Sequence, residues 1–283
     1  MRYAPLALLM FGGVASAAPV TFPVDSQYKP LFCGGGPMYD GYRDQPGFLD
    51  EDDVVGTALL PAALRASDAT YLYVRIRLDA DPAPSQTPKP SSWGVELDLD
   101  GDPTTYELLM LVDGIAGNNK VELFTNHTVT LANDPNDPAD QPPVATYTFA
   151  NNARTIVAPM SNTGANPDYF LDFALPWTDL IAAGLNHDTA TRLWVASSSS
   201  ADSLNGDFAC NDGAGGAVHL NAADSDPTTG DPANDPNGNG SGSGSGTGSG
   251  GLELEGGGGC STTGGTTSPF LAFALLALRR RRR

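Results

Sequence analysis

Two stretches of strict alternation limit what this chain can fold into. In Tyr71–Leu78, an extended strand puts Leu72, Val74, Ile76 and Leu78 on one face and Tyr71, Tyr73, Arg75 and Arg77 on the other. In Trp93–Asp100, Trp93, Val95, Leu97 and Leu99 share a face opposite Glu96, Asp98 and Asp100. A period of two does not suit a helix, whose apolar positions recur at three and four. Both segments are therefore expected as half-buried neighbouring strands of an antiparallel sheet, with Arg75 and Arg77 pairing with Glu96 and Asp98.

Other runs extend the pattern. Tyr106–Val112 is apolar on most positions of both faces and reads as a central strand. Val121–Phe124, Val144–Ala150, Tyr169–Leu175 and Leu193–Ser197 are further strand candidates, with Thr128–Leu131 and Thr155–Val157 weaker. Turn-rich stretches such as Asn133–Pro143 separate them. One short helix is expected over Pro176–Ala183, with Pro176 near its start and Gly184 just past its end. Trp93, Trp177 and Trp194 are expected in the core, and Asp50–Asp53 reads as a charged loop. Short strands at this spacing predict an all-β fold, an antiparallel β-sandwich with jelly-roll or immunoglobulin-like layering, over residues 18–222.

The order of these pieces resembles DOMON-type and family-9 carbohydrate-binding-like sandwiches. The resemblance rests on Asp68-Ala69-Thr70-Tyr71-Leu72-Tyr73-Val74, on Val95-Glu96-Leu97-Asp98-Leu99-Asp100-Gly101-Asp102, and on Phe173-Ala174-Leu175-Pro176-Trp177. It implies sugar or haem binding and calcium-supported loops.

From the residues themselves, the metal candidate is Asp98-x-Asp100-Gly-Asp102. Carboxylates at alternate positions leaving a strand can converge on a hard cation such as calcium. An EF-hand is excluded, because its sixth position would be Pro103 and its twelfth Leu109. Antiparallel pairing of the two alternating strands would add Asp68 to the group. The competing reading is a solvated acidic turn. The ligand candidate is the face of Tyr71, Tyr73, Arg75 and Arg77, where rings and guanidinium groups suit sugar stacking and hydroxyl hydrogen bonds. Its competing reading is a solvated face of ion pairs.

Both ends of the chain read as addresses. Arg2, the apolar Pro5–Val14 and Ala15-Ser16-Ala17 form an export signal, residues 1–17, with cleavage expected between Ala17 and Ala18. Residues 223–256 are mostly Asp, Pro, Asn, Gly and Ser and are expected to be a disordered linker spanning about 30–35 Å. In residues 257–283, a Gly-Cys pair at Gly259-Cys260 precedes the apolar Phe270–Leu278 and the block Arg279–Arg283. Nine apolar residues make a helix of about 14 Å, against a hydrocarbon core of about 30 Å. This order resembles the MYXO-CTERM sorting signal of myxobacterial surface proteins. The resemblance implies a sorting protease, processing and lipidation at Cys260, and retention at the surface or outer membrane of a Gram-negative bacterium. A plain uncut membrane anchor is the alternative.

Cysteine use fits an exported chain. Cys33 and Cys210 are expected to form a disulfide across the domain, contributing about 4–5 kcal/mol in the chain-entropy model. Two unrelated thiols are the other reading. The full chain carries 15 basic and 33 acidic residues; loss of both address segments leaves 9 basic and a net charge of −24. Such a surface excludes nucleic acid as a partner. No G-x-S-x-G, H-E-x-x-H or phosphate-cradling loop is present, so catalysis is not expected. The functional expectation is an exported, surface-anchored, non-catalytic sandwich that binds carbohydrate or a small ligand with calcium support. A structural or adhesive envelope protein without small ligand is the alternative, followed by a glycoside-active enzyme or a haem-binding domain.

Overall fold

The computed structural model describes residues 18–209 apart from 34, 35, 103, 133, 135, 160, 165, 188 and 190. The short strands β1 (Lys29–Pro30), β2 (Phe32–Cys33) and β3 (Gly36–Pro37) open the chain. β4 (Ala63–Ser67), β5 (Tyr71–Leu78), β6 (Ser92–Asp98), β7 (Leu108–Asp113) and β8 (Lys120–Thr125) follow. After β9 (Ala145–Thr148) come helix α1 (Phe149–Asn152), β10 (Ala153–Val157), β11 (Tyr169–Pro176), helix α2 (Trp177–Ala182) and β12 (Arg192–Ser198).

Ten strands form two five-stranded antiparallel sheets, ordered β1-β4-β5-β11-β10 and β12-β6-β7-β8-β9, while β2 and β3 pair on their own. The all-β sandwich expected from alternation is the observed fold. Leu72, Val74, Ile76 and Leu78 of β5 meet Trp93, Val95 and Leu97 of β6 in one core cluster. Leu108, Met110 and Val112 of β7 join them, as do Leu171, Phe173 and Leu175 of β11. Each large apolar side chain taken from water here contributes about 1.5–3 kcal/mol. β7 is the middle strand of its sheet and sends Leu109 and Leu111 to a second cluster on the opposite face. All three tryptophans are buried.

Helix α2 forms where its end signals place it. Pro176 is extended at the N-cap, and Gly184 closes the C-terminal end at φ +108°, in the left-handed region that favours glycine. Val144–Ala150 is only partly a strand, because the chain turns into α1 at Phe149. Thr128–Leu131 is not a strand. Asp137 Oδ1 takes the Thr130 amide at 2.8 Å, the Thr130 hydroxyl at 2.7 Å and the Leu131 amide at 2.7 Å, so these donors serve a loop.

Two sequence expectations fail at the level of layers. β5 and β6 are not neighbours: β5 lies between β4 and β11, and β6 belongs to the opposite sheet. Nor are they half-buried, since every residue of β6 and all of β5 after Tyr71 is buried. The outer faces are covered by the chain itself. Val20, Phe22 and Tyr28 pack on Tyr73 and Ala174 of the first sheet. Tyr106, Ala139, Leu204 and Phe208 cover Leu109, Leu111, Phe124 and Trp194 of the second. Among the described residues, no helix is long and apolar enough to cross a membrane.

Candidate functional site

The face carrying Tyr71, Tyr73, Arg75 and Arg77 is closed rather than open to a ligand. Arg75 is 1 % exposed and sits directly across from Asp172 of β11. Its Nε and Nη2 donate to the two Asp172 oxygens at 2.6 and 2.9 Å, a bidentate charge-assisted pair. Its Nη1 donates to Asp25 at 2.8 Å. The guanidinium carbon lies 3.8 Å from the Tyr28 ring centroid and 4.3 Å from that of Phe170. Arg77 donates to Ser161 Oγ at 2.6 Å and lies 3.7 Å from Asp168. The expected partners, Glu96 and Asp98, are wrong because they lie in the other sheet. Tyr73 donates its hydroxyl to Asp68 at 2.6 Å and is also buried; Tyr71 alone of the four is half-exposed.

The proposed metal ligands do not come together as a set. One oxygen each of Asp98, Asp100 and Glu107 lies within 4.8 Å of the others, but neither Asp102 nor Asp68 joins this group. Asp98 Oδ1 takes the amides of Asp100 and Gly101 at 3.2 and 2.7 Å. Asp100 Oδ1 takes that of Asp102 at 2.8 Å, and Glu107 Oε2 that of Leu99 at 2.6 Å. These carboxylates fasten a tight turn, in which Gly101 sits at φ +85°. Asp102 serves Thr104 in the same way. Asp68 Oδ1 accepts the Thr70 and Tyr71 amides at 2.7 and 2.8 Å, at the mouth of β5 in the first sheet. Burial pushes the Glu107 carboxyl up despite its bond from Leu99. Glu107 was not singled out from sequence; pairing Trp93–Asp100 with Tyr106–Val112 would have placed it beside Asp98.

A second acidic group lies where sequence reasoning saw none. One oxygen each of Asp40, Asp44 and Asp207 falls within 4.8 Å of the other two. Asp40 and Asp207 are 2 % and 0 % exposed. Burial pushes both carboxyls up, and Asp207 and Asp44 add their charge at Asp40. Nearby, burial raises Asp53 to about 7 and Asp52 to about 6. No lysine or arginine forms an ion pair with Asp40, Asp44 or Asp207 among the described residues; the Arg43 guanidinium is turned to Asp50.

Glu96 is buried beneath the second sheet's cover. Its Oε1 takes the Leu204 amide at 3.3 Å, and Oε2 accepts no hydrogen bond. Burial raises its carboxyl well above the ordinary range, and the charges of Asp137 and Asp134 add to this.

Other expected sites fall mainly outside the described residues. Cys33 ends β2, while Cys210, Cys260 and Ala17 lie beyond them, and Ala18 is exposed. His187 stacks on Trp177 with ring centroids 3.9 Å apart. The site residues thus belong to a closed, self-covered β-sandwich rich in buried carboxylates. Compared with known protein families, curated proteins and solved structures, the chain matches none.

Proposed function

We propose that this chain is an exported structural domain of the cell envelope, a non-catalytic β-sandwich followed by a linker rich in Asp, Pro, Gly and Ser and retained through its C-terminal sorting signal. The observation that carries the structural reading is the closed outer face of the first sheet. Tyr73 and Arg75, buried under the Val20–Tyr28 segment, and Arg77, buried against Pro61 and Ser161, are the side chains best suited to a sugar and are committed to Asp68, Asp172, Asp25 and Asp168. A sugar platform needs rings and donors that water can reach; here the donors are already used. The net charge keeps such a domain soluble and away from anionic surfaces.

Location is supported by the two address segments of the sequence. Expression in the native bacterium with residues 257–283 deleted is expected to move the chain from the cell surface to the medium. External protease on intact cells should remove the full-length form. Retention of the truncated form at the surface, or protection of the full-length form from protease, contradicts the proposal.

A further inference from the structure

Asp40 and Asp44, on one loop, meet Asp207 from a part of the chain remote in sequence. The Asp40 main chain bridges Gly56, and Asp207 bonds its main chain to Ser197 at the end of β12. The two buried carboxylates are each held through one oxygen by a backbone amide: Asp40 Oδ1 by Gly41 at 2.9 Å, Asp207 Oδ2 by Val54 at 2.6 Å. The remaining oxygens, Asp40 Oδ2 and Asp207 Oδ1, accept no hydrogen bond from an N–H or hydroxyl group, and neither does Asp44 Oδ1; the Asp44 carboxyl lies at hydrogen-bond range of the other two. Buried polar atoms in folded proteins nearly always have a partner, and carboxyl groups this close must either hold protons or share a cation. Here protein cations do not supply one.

We infer that Asp40, Asp44 and Asp207 bind a calcium ion. Three carboxylates from two parts of the chain, the Asp40–Asp44 loop and the segment after β12, give an all-oxygen set, which suits a hard cation and not a soft one. Calcium tolerates the irregular arrangement that loops provide, whereas magnesium demands a near-ideal octahedron. Bound there, the ion ties the loop around Asp40 to the segment after β12, across the long stretch of chain between them. The inference stands on these buried oxygens alone and does not depend on where the protein is displayed. In the Asp98 turn, by contrast, Asp98, Asp100 and Glu107 all accept amides of the turn itself, and Asp100 is exposed.

Equilibrium dialysis of the full chain, stripped with a chelator and returned to calcium chloride, tests it directly. One calcium per chain is expected, with a matching rise in the thermal midpoint. Asp207→Asn should weaken binding at least tenfold, and Asp44→Asn, at a half-buried position, gives the same readout should the first variant fold poorly. Both variants are expected to melt at or above the chelator-treated parent, because each replaces a crowded carboxyl by a neutral amide of similar shape. Asp100→Asn should bind as the parent does. Absence of bound calcium at millimolar concentration overturns the inference, as does binding that survives both substitutions or that is lost in Asp100→Asn.

Discussion

Asp172→Ala is expected to lower the stability of the sandwich by about 3–5 kcal/mol, read as a fall in the urea midpoint without a change in slope. Asp172 is fully buried and anchors two arginines, Arg75 through Nε and Nη2 and Arg154 through Nε at 2.8 Å. Removing it leaves the Arg75 guanidinium 1 % exposed, with only the largely solvated Asp25 as a charged partner. The loss comes from stranding a charge, not from forfeiting the modest net value of an ion pair. Arg154→Ala is the internal control. Its side chain is 31 % exposed, so its loss should cost less than about 1 kcal/mol. An Asp172 variant no less stable than the Arg154 variant contradicts this account of the face.

Glu96→Gln is expected to act in the opposite direction, raising stability at pH 8 by about 1–3 kcal/mol, the usual scale for a poorly satisfied buried group. Glutamine keeps the acceptor for the Leu204 amide and removes the charge that burial and the nearby Asp137 and Asp134 oppose. The sign of the pH effect follows from linkage. The Glu96 carboxyl titrates higher in the folded chain than in the unfolded one, where it titrates near 4.3. Above that value the folded state keeps a proton that the unfolded state loses, so this group's contribution falls as pH rises. The gap between variant and parent should therefore be small near pH 4 and widen toward pH 8. Denaturant titrations at the two pH values check it; a constant gap, or a destabilised variant at pH 8, shows that Glu96 is not held in this way.

Much of the frame was legible because the core obeys a local rule. Alternation in β5 and β6, the two-faced apolar run of β7, and the Pro176 and Gly184 signals around α2 each depend on neighbours within a few residues. Which strand lies beside which is not a local property. Pairing β5 with β6 as antiparallel neighbours is the simple reading, yet the Asp79–Ser91 connection carries the chain to the opposite sheet. That single error placed Arg75 and Arg77 against the wrong acids, because the partner of Arg75 is 97 residues away. Alternation also shows that one face is polar without showing whether it is wet. Here a charged face is buried because arginines and aspartates satisfy one another beneath the Val20–Tyr28 segment. Asp40, Asp44 and Asp207 could not be grouped from sequence, since only the folded loops bring them together.

The proposed display at the cell surface depends on how the two ends of the chain are processed. Intact-mass and peptide mass spectrometry of the envelope-bound protein measures this directly. The prediction is a chain beginning at Ala18 and ending at or near Cys260, with the Cys260 sulfur carrying added mass and the Arg279–Arg283 block gone. A bound form that retains all five terminal arginines and an unmodified Cys260 contradicts it.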